Sequence, residues 1–191
     1  ETGYSSAGID LGSNFFRINK KVKVAMLIGE GVSSYEAGEV WHLLDTRVNI
    51  PLTKIRLNQF NRTSLDKYTT LVMVSGIYSQ ISEKDIKKIK DWVSKGNTLV
   101  TIGSASSWAI KKEIVSESLV ETKKDSVFSR KRYIDAREYI GREAIGGSIL
   151  SVDLDLTHPL AFGYRDKSIP VYKNNNVFFK QIEKPIFISC T

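Results

Sequence analysis

The distribution of apolar and polar residues predicts alternating strands and helices from residue 22 onward. The nearly continuous apolar run of residues 22–28 is typical of a strand buried on both faces. After the polar segment GEGVSS, apolar residues recur at the spacing of one helical face. These helix positions are Ala37, Val40, Trp41 and Leu44. Ser33, followed three residues later by Glu36, predicts a capping box at the start of this helix.

Three further strands and a second helix extend the pattern. Strands are predicted at residues 51–57, 70–74 and 98–102, and a helix between the last two begins at Ser82 and ends at Gly96. The apolar stripe of this helix consists of Ile86, Ile89, Trp92 and Val93. The order of elements predicts an α/β fold with a mostly parallel sheet and helices on both faces. In such sheets ligands bind beyond the carboxyl ends of the strands.

The two ends of the chain follow a different pattern. Residues 1–19 are rich in Gly and Ser and are expected to form a linker or N-terminal arm, whereas residues 20–191 are expected to form one α/β domain. The pattern is lost in the charged residues 114–140. Short late strands are predicted at residues 147–156, 169–172, 177–180 and 185–188. The abrupt end of the last strand is consistent with truncation of the domain at its C-terminus.

Composition narrows the classes of partner. The net charge is +7 over 191 residues, but acids interrupt the basic clusters, which favours a solvated charged surface and argues against a nucleic-acid partner. The sequence lacks an apolar run of about 18 residues, so no membrane span is expected. Cys190 is the single cysteine, which excludes an intramolecular disulfide and a cysteine-based metal site. We expect no cofactor and no metal.

Three short stretches of possible functional residues each have a simpler interpretation. The glycines of residues 29–34 lie where dinucleotide folds hold phosphate, but the third glycine is missing and Glu30 would repel an anion, so a tight turn is the preferred interpretation. His42 is predicted to lie on a helix surface. Asp153 and Asp155, with His158 nearby, offer ligands for a divalent ion, but strand-end carboxylates more often cap a following turn.

The segment TLVTIGSASSWAI (residues 98–110) has the form of a strand-to-helix elbow, which carries the nucleophile in several hydrolases. Ser104 and Ser106 are the candidate nucleophiles, and His158 is the candidate base. The acids available to orient that base are Asp153, Asp155 and Glu30. The GxSxG motif is not met, and serine is also a preferred residue at a helix start.

Four segments resemble, in order, the class I glutamine amidotransferase-like domain. They are VKVAMLIGEGVSSYEAGEVWHLLD, LVMVSGIYS, WVSKGNTLVTIGSASSW and GGSILSVDLDLTHPLAFGY. The version that the sequence resembles most is appended to secreted bacterial zinc carboxypeptidases. The resemblance implies a three-layer α/β/α sandwich with a flavodoxin-like sheet, and an extracytoplasmic (secreted or periplasmic) location.

The resemblance also implies a loss of catalysis. The cysteine of active members falls on Gly103, or on Ser104 if the register shifts by one residue. The family's His-Pro pair corresponds to His158 and Pro159, and the position of its acid holds Leu160. The implied function is a non-catalytic accessory domain whose partner is a peptidase catalytic domain in the same parent chain. The alternative is a weak serine hydrolase that uses Ser104 or Ser106 with His158.

A small ligand is expected in a pocket at the strand ends. The residues expected to line it are Glu30, Ser33, Gly76, Tyr78, Ser104, Ser106 and His158. Tyr78 and His158 are expected to make polar contacts with the ligand, and the Ser104 N–H is expected to face an oxyanion. No oligomeric state is predicted.

Overall fold

The computed structural model describes residues 6–9, 12–13, 21–120, 132–135, 137–138, 141 and 145–180. The predicted arm of residues 1–19 lies largely outside these residues, and the strand predicted at residues 185–188 lies outside them entirely. The chain divides into two compact units, Glu1–Ile102 and Gly103–Thr191, so the expected domain of residues 20–191 spans both.

The first unit contains a four-stranded parallel sheet. Its strands are β1 (Val24–Ile28), β2 (Leu52–Arg56), β3 (Thr70–Met73) and β4 (Thr98–Thr101). The strand order is β2-β1-β3-β4, and every neighbouring pair is parallel. The predicted α/β fold with a mostly parallel sheet is confirmed, and this order matches the first strands of a flavodoxin-like sheet.

Helices α1 (Ser34–His42) and α2 (Glu83–Ser94) connect these strands, and α1 continues into a π-helical turn over Leu43–Arg47. Because the connections from β1 to β2 and from β3 to β4 run in opposite directions across the sheet, right-handed crossovers place α1 and α2 on opposite faces. Short 3₁₀ turns at Leu57–Arg62 and Leu65–Lys67 follow β2.

The central strands β1 and β3 are buried on both faces, as the apolar run in β1 predicts. On one face Val24, Met26 and Val72 form a cluster with Ala37 of α1. The residues of the opposite face are also inaccessible to solvent: Ala25, Leu27, Leu71 and Met73. Trp41 departs from its predicted burial, since its side chain is 43% exposed and the ammonium of Lys54 lies 3.8 Å from its ring centroid.

The predicted helix ends are confirmed. The Ser33 hydroxyl accepts from the Glu36 N–H (3.4 Å), and the Ser82 hydroxyl accepts from the Asp85 N–H (3.2 Å). Helix α2 stops where Gly96 takes a positive φ of 88°, a conformation that glycine adopts without steric cost.

The second unit contains α3 (Ser104–Lys111) and an antiparallel pair formed by β5 (Ser148–Asp153) and β6 (Ser168–Lys173). The strand predicted at residues 177–180 is reduced to one isolated bridge between Leu119 and Phe179. Of the helices in the described part of the chain, none combines the length and apolar character that a membrane span requires.

Candidate functional site

The crevice where an open α/β sheet usually binds its ligand is closed in this protein. In the order β2-β1-β3-β4 this crevice lies between the carboxyl ends of β1 and β3. The loops that follow these strands are joined by a bridge between Val32 and Gly76. The Ser33 N–H donates to the Ser75 carbonyl (2.8 Å), and the Ile77 N–H donates to the Gly31 carbonyl (2.7 Å).

Glycine permits this close approach. Gly31 has a φ of 85°, and a Cβ placed on Gly76 would lie 2.9 Å from the Gly31 oxygen. Gly29 also has a positive φ of 112°. The interpretation of Gly29 and Gly31 as turn residues is therefore confirmed, and the Gly31 carbonyl is used in the loop–loop contact.

Glu36 and Tyr78 reinforce the closure. The Glu36 carboxylate accepts from the Ser75 N–H (2.8 Å), so only the serine half of the predicted capping box forms. Tyr78 is 2% exposed, and its hydroxyl donates to the Val74 carbonyl (2.5 Å). Burial raises the pKa of Tyr78 well above its ordinary value, and the charge of Glu36 raises it further. The expectation that Tyr78 is a polar handle for a ligand is corrected, because its hydroxyl is used inside the core.

The open space lies one strand further along, at the carboxyl ends of β1 and β2. A pocket of about 330 Å³, which we call the strand-end pocket, occurs there. It is lined by Gly29, Glu30, Arg56, Leu57, Asn58 and Gln80. Among the expected pocket residues of the first unit, Glu30 lines it, whereas Ser33, Gly76 and Tyr78 do not. Of the residues that were missed, Arg56 and Leu57 lie at the end of the strand predicted over residues 51–57.

A larger pocket of about 630 Å³ beside α2 is bordered by a structural cluster. Asp85 is 6% exposed and accepts from the Ser82 hydroxyl (2.6 Å), and the Lys88 ammonium lies 3.3 Å from its carboxylate. Burial alone would raise the pKa of Asp85, but its hydrogen bonds to Ser82 and Lys88 and the charge of Lys88 lower it overall. Lys88 also donates to the carbonyls of Phe60 (2.9 Å) and Thr63 (3.2 Å), which ties α2 to the turn after β2.

In the second unit, Gly103 forms a tight turn at the start of α3. Gly103 has φ 57° and ψ −124°, close to the roughly +60° and −120° of the first central residue of a type II′ turn. A residue with a side chain is strained in this conformation, and glycine is not. Ser104 is exposed, whereas Ser106 is 8% exposed within α3.

His158 caps a 3₁₀ turn over Pro159–Ala161. Its Nδ1 accepts from the Leu160 N–H (3.2 Å), so in the neutral ring the proton lies on Nε2. Neither nitrogen of that tautomer is free to take a proton from a serine. This arrangement argues against His158 as a general base.

The acids near His158 also serve the backbone. One oxygen of Asp155 accepts from both the N–H (2.9 Å) and the hydroxyl (2.6 Å) of Thr157. These two bonds are the main reason that the pKa of Asp155 lies below its ordinary value. The preferred interpretation of this strand-end acid as a turn cap is confirmed.

Within the described residues, no three His, Cys, Asp or Glu side chains come together as a metal site would require. His42 is exposed at the end of α1, as predicted.

Comparison of the sequence with models of known protein families gave no match, and comparison with curated proteins gave none either. The amidotransferase-like resemblance, and the site roles that it implies, therefore remain predictions.

Proposed function

We propose that this chain is a non-catalytic amidotransferase-like domain that binds a small polar ligand and supports a peptidase catalytic domain of the zinc carboxypeptidase type in the same parent protein. The observation that carries the proposal is Gly103. The elbow conformation is present at this residue, and the atom that would attack is replaced by hydrogen.

The backbone conformation at Gly103 supports the loss of catalysis independently of the missing sequence motif. A side-chain residue held at such dihedral angles costs on the order of 1–3 kcal/mol, which enzymes tolerate because it exposes the nucleophile. Glycine removes both the strain and the nucleophile. A domain that needs only the turn has no reason to retain a strained residue there.

The surroundings of His158 support the same conclusion. In an acyl-transfer triad the imidazole accepts the nucleophile's proton on one nitrogen while the other nitrogen donates to an acid. Here Nδ1 accepts from the Leu160 backbone, and one oxygen of Asp155 accepts from Thr157. A hydrolase that used Ser104 or Ser106 with His158 would have to break the Leu160 contact before Nδ1 could donate to an acid.

Labelling with a fluorophosphonate probe tests the non-catalytic part. We expect no labelling of the folded protein above that of a variant with both Ser104→Ala and Ser106→Ala, and no turnover of 4-nitrophenyl acetate that depends on either serine. Ser107→Ala is the matched control, because it removes a hydroxyl from the same helix. Stoichiometric labelling that Ser104→Ala or Ser106→Ala abolishes, while Ser107→Ala does not, would establish the hydrolase instead.

The supporting role needs a second experiment. The purified catalytic domain of a bacterial zinc carboxypeptidase is titrated with this chain, and association and the KM for a peptide substrate are measured. We expect saturable association and a lowered KM at unchanged kcat, since an accessory domain changes presentation of the substrate and leaves the chemistry alone. Serum albumin at the same concentration is the control. Absence of both association and a KM change would refute the peptidase role and leave the labelling result standing.

A further inference from the structure

The strand-end pocket joins two opposite charges that the topology brings together. Ile28, the last residue of β1, lies directly opposite Arg56, the last residue of β2. Glu30 follows Ile28 by two residues, beyond the turn that the positive φ of Gly29 makes. Leu57 is 4% exposed and anchors the chain immediately after Arg56. Both charged side chains therefore project from well-anchored backbone at one edge of the sheet.

Among the described residues, the polar side chains of this pocket have no protein partners. In the part of the chain that the structure describes, neither Glu30 nor Arg56 forms an ion pair, and neither Asn58 nor Gln80 makes a side-chain hydrogen bond. The pocket beside α2 differs, because there Lys88 is paired with Asp85. A concave site that leaves a carboxylate and a guanidinium open suits a ligand that carries both complementary charges.

From this arrangement we propose that the strand-end pocket binds a small zwitterion of amino-acid or dipeptide size, with its carboxylate on Arg56 and its ammonium on Glu30. The volume of about 330 Å³ is at the small end of the range for ligand sites. The amides of Asn58 and Gln80 can each donate to and accept from polar groups of the ligand. Glu30 disfavours a phosphate, whose charge it would repel.

An adjoining cavity provides space for a side chain of this ligand. A space of about 240 Å³ shares Leu57, Asn58 and Gln80 with the strand-end pocket. Its lining combines the apolar residues Phe60 and Ile81 with polar ones, namely Asn61, Ser82 and Asp85. A side chain of the ligand placed there can contact both kinds of group while the charged ends of the ligand stay in the strand-end pocket.

The inference rests on the proposed ligand-binding role, and a titration tests it independently of the probe labelling. The ¹⁵N-labelled chain is titrated at low salt with L-leucine, glycyl-L-leucine, N-acetyl-L-leucine and L-leucinamide. The last two compounds each lack one charge of the zwitterion. We expect saturable shifts at Glu30, Arg56 and Gln80 with L-leucine or glycyl-L-leucine at a Kd of about 1 mM or below, and binding roughly tenfold weaker for the two blocked compounds.

Variants separate the two charged contacts. Arg56→Gln is expected to weaken binding of the carboxylate-bearing probes roughly tenfold and to leave L-leucinamide unchanged. Glu30→Gln is expected to remove the preference for L-leucine over N-acetyl-L-leucine. Arg47→Gln and Glu39→Gln are the matched controls, because they neutralise exposed residues outside the pocket.

Three results would overturn the inference. The first is the absence of saturable shifts with every probe up to about 20 mM, which means a Kd beyond the millimolar range. The second is equal binding of the free and blocked compounds. The third is an equal loss of binding affinity in the pocket variants and their controls. A failed titration beside absent fluorophosphonate labelling would refute the zwitterion site and leave the non-catalytic assignment intact. Serine-dependent labelling together with successful binding would refute the non-catalytic assignment and leave the zwitterion site intact.

Discussion

Replacing Gly76 by alanine tests whether the loops after β1 and β3 are closed by direct backbone contact. The new Cβ would lie 2.9 Å from the Gly31 oxygen and 3.1 Å from the Cα of Val32. Both are backbone atoms, so the strain cannot be relieved by rotating a side chain. Overpacking of this kind costs about 1–3 kcal/mol, and we expect the free energy of unfolding to fall by that amount.

Gly38→Ala provides the matched control, since it makes the same chemical change in α1. A Cβ on Gly38 would meet no atom within 4 Å. Alanine favours the helix over glycine, so this variant is expected to gain about 0.5–1 kcal/mol. The two substitutions should therefore change stability in opposite directions.

Urea unfolding followed by tryptophan fluorescence measures both effects, because Trp92 is buried in the first unit. Hydrogen exchange provides a local measurement: the amides of Ser33 and Ile77, which donate across the two loops, should exchange faster in Gly76→Ala and unchanged in Gly38→Ala. A Gly76→Ala protein within about 0.5 kcal/mol of the parent, with unchanged exchange at these amides, would refute the close-contact explanation.

Three further predictions concern single groups. Tyr78→Phe should lower the free energy of unfolding by about 1–3 kcal/mol, because the Val74 carbonyl loses its donor. Since the folded-state pKa of Tyr78 is raised, the parent protein should lose stability as the pH rises above about 10. The variant should lack this loss. The pKa of Asp85 is lowered in the folded state, so its stabilising contribution is present above about pH 4 and lost on acidification below it, and urea unfolding of Asp85→Asn should lack that acid dependence. The new thiol of Gly103→Cys should react with iodoacetamide at neutral pH several-fold faster than Cys190 of the parent, because the start of α3 favours a thiolate. Mass spectrometry measures both rates. Equal rates would count against the elbow assignment.

Features with local causes were predictable from the sequence. The serines at positions 33 and 82 begin the two helices because their hydroxyls accept from backbone N–H groups three residues later. Gly96 ends α2 because glycine takes a positive φ freely. Strand β1 is buried on both faces, as its unbroken apolar run requires.

The contents of the candidate site were less predictable, because its residues choose between local and distant partners. Glu36 was expected to complete its own helix cap, but its carboxylate bonds to Ser75, 39 residues away in sequence. Tyr78 was expected to face a ligand, yet its hydroxyl turns back to Val74. Nothing in the residue types distinguishes these outcomes, since each side chain is chemically suited to both.

The amino-acid sequence by itself determined the α/β class, the order of strands and helices, and the helix ends in the first unit, because each depends on periodicity or on contacts within one turn. Only the tertiary structure decided which strand ends enclose a pocket. Parallel pairing sets Ile28 opposite Arg56 and so brings Glu30 and Arg56 to one edge, while the contact of Gly76 with Gly31 closes the neighbouring crevice. These positions depend on strand register and on backbone packing between segments that are tens of residues apart. The residue types within one segment do not predict them.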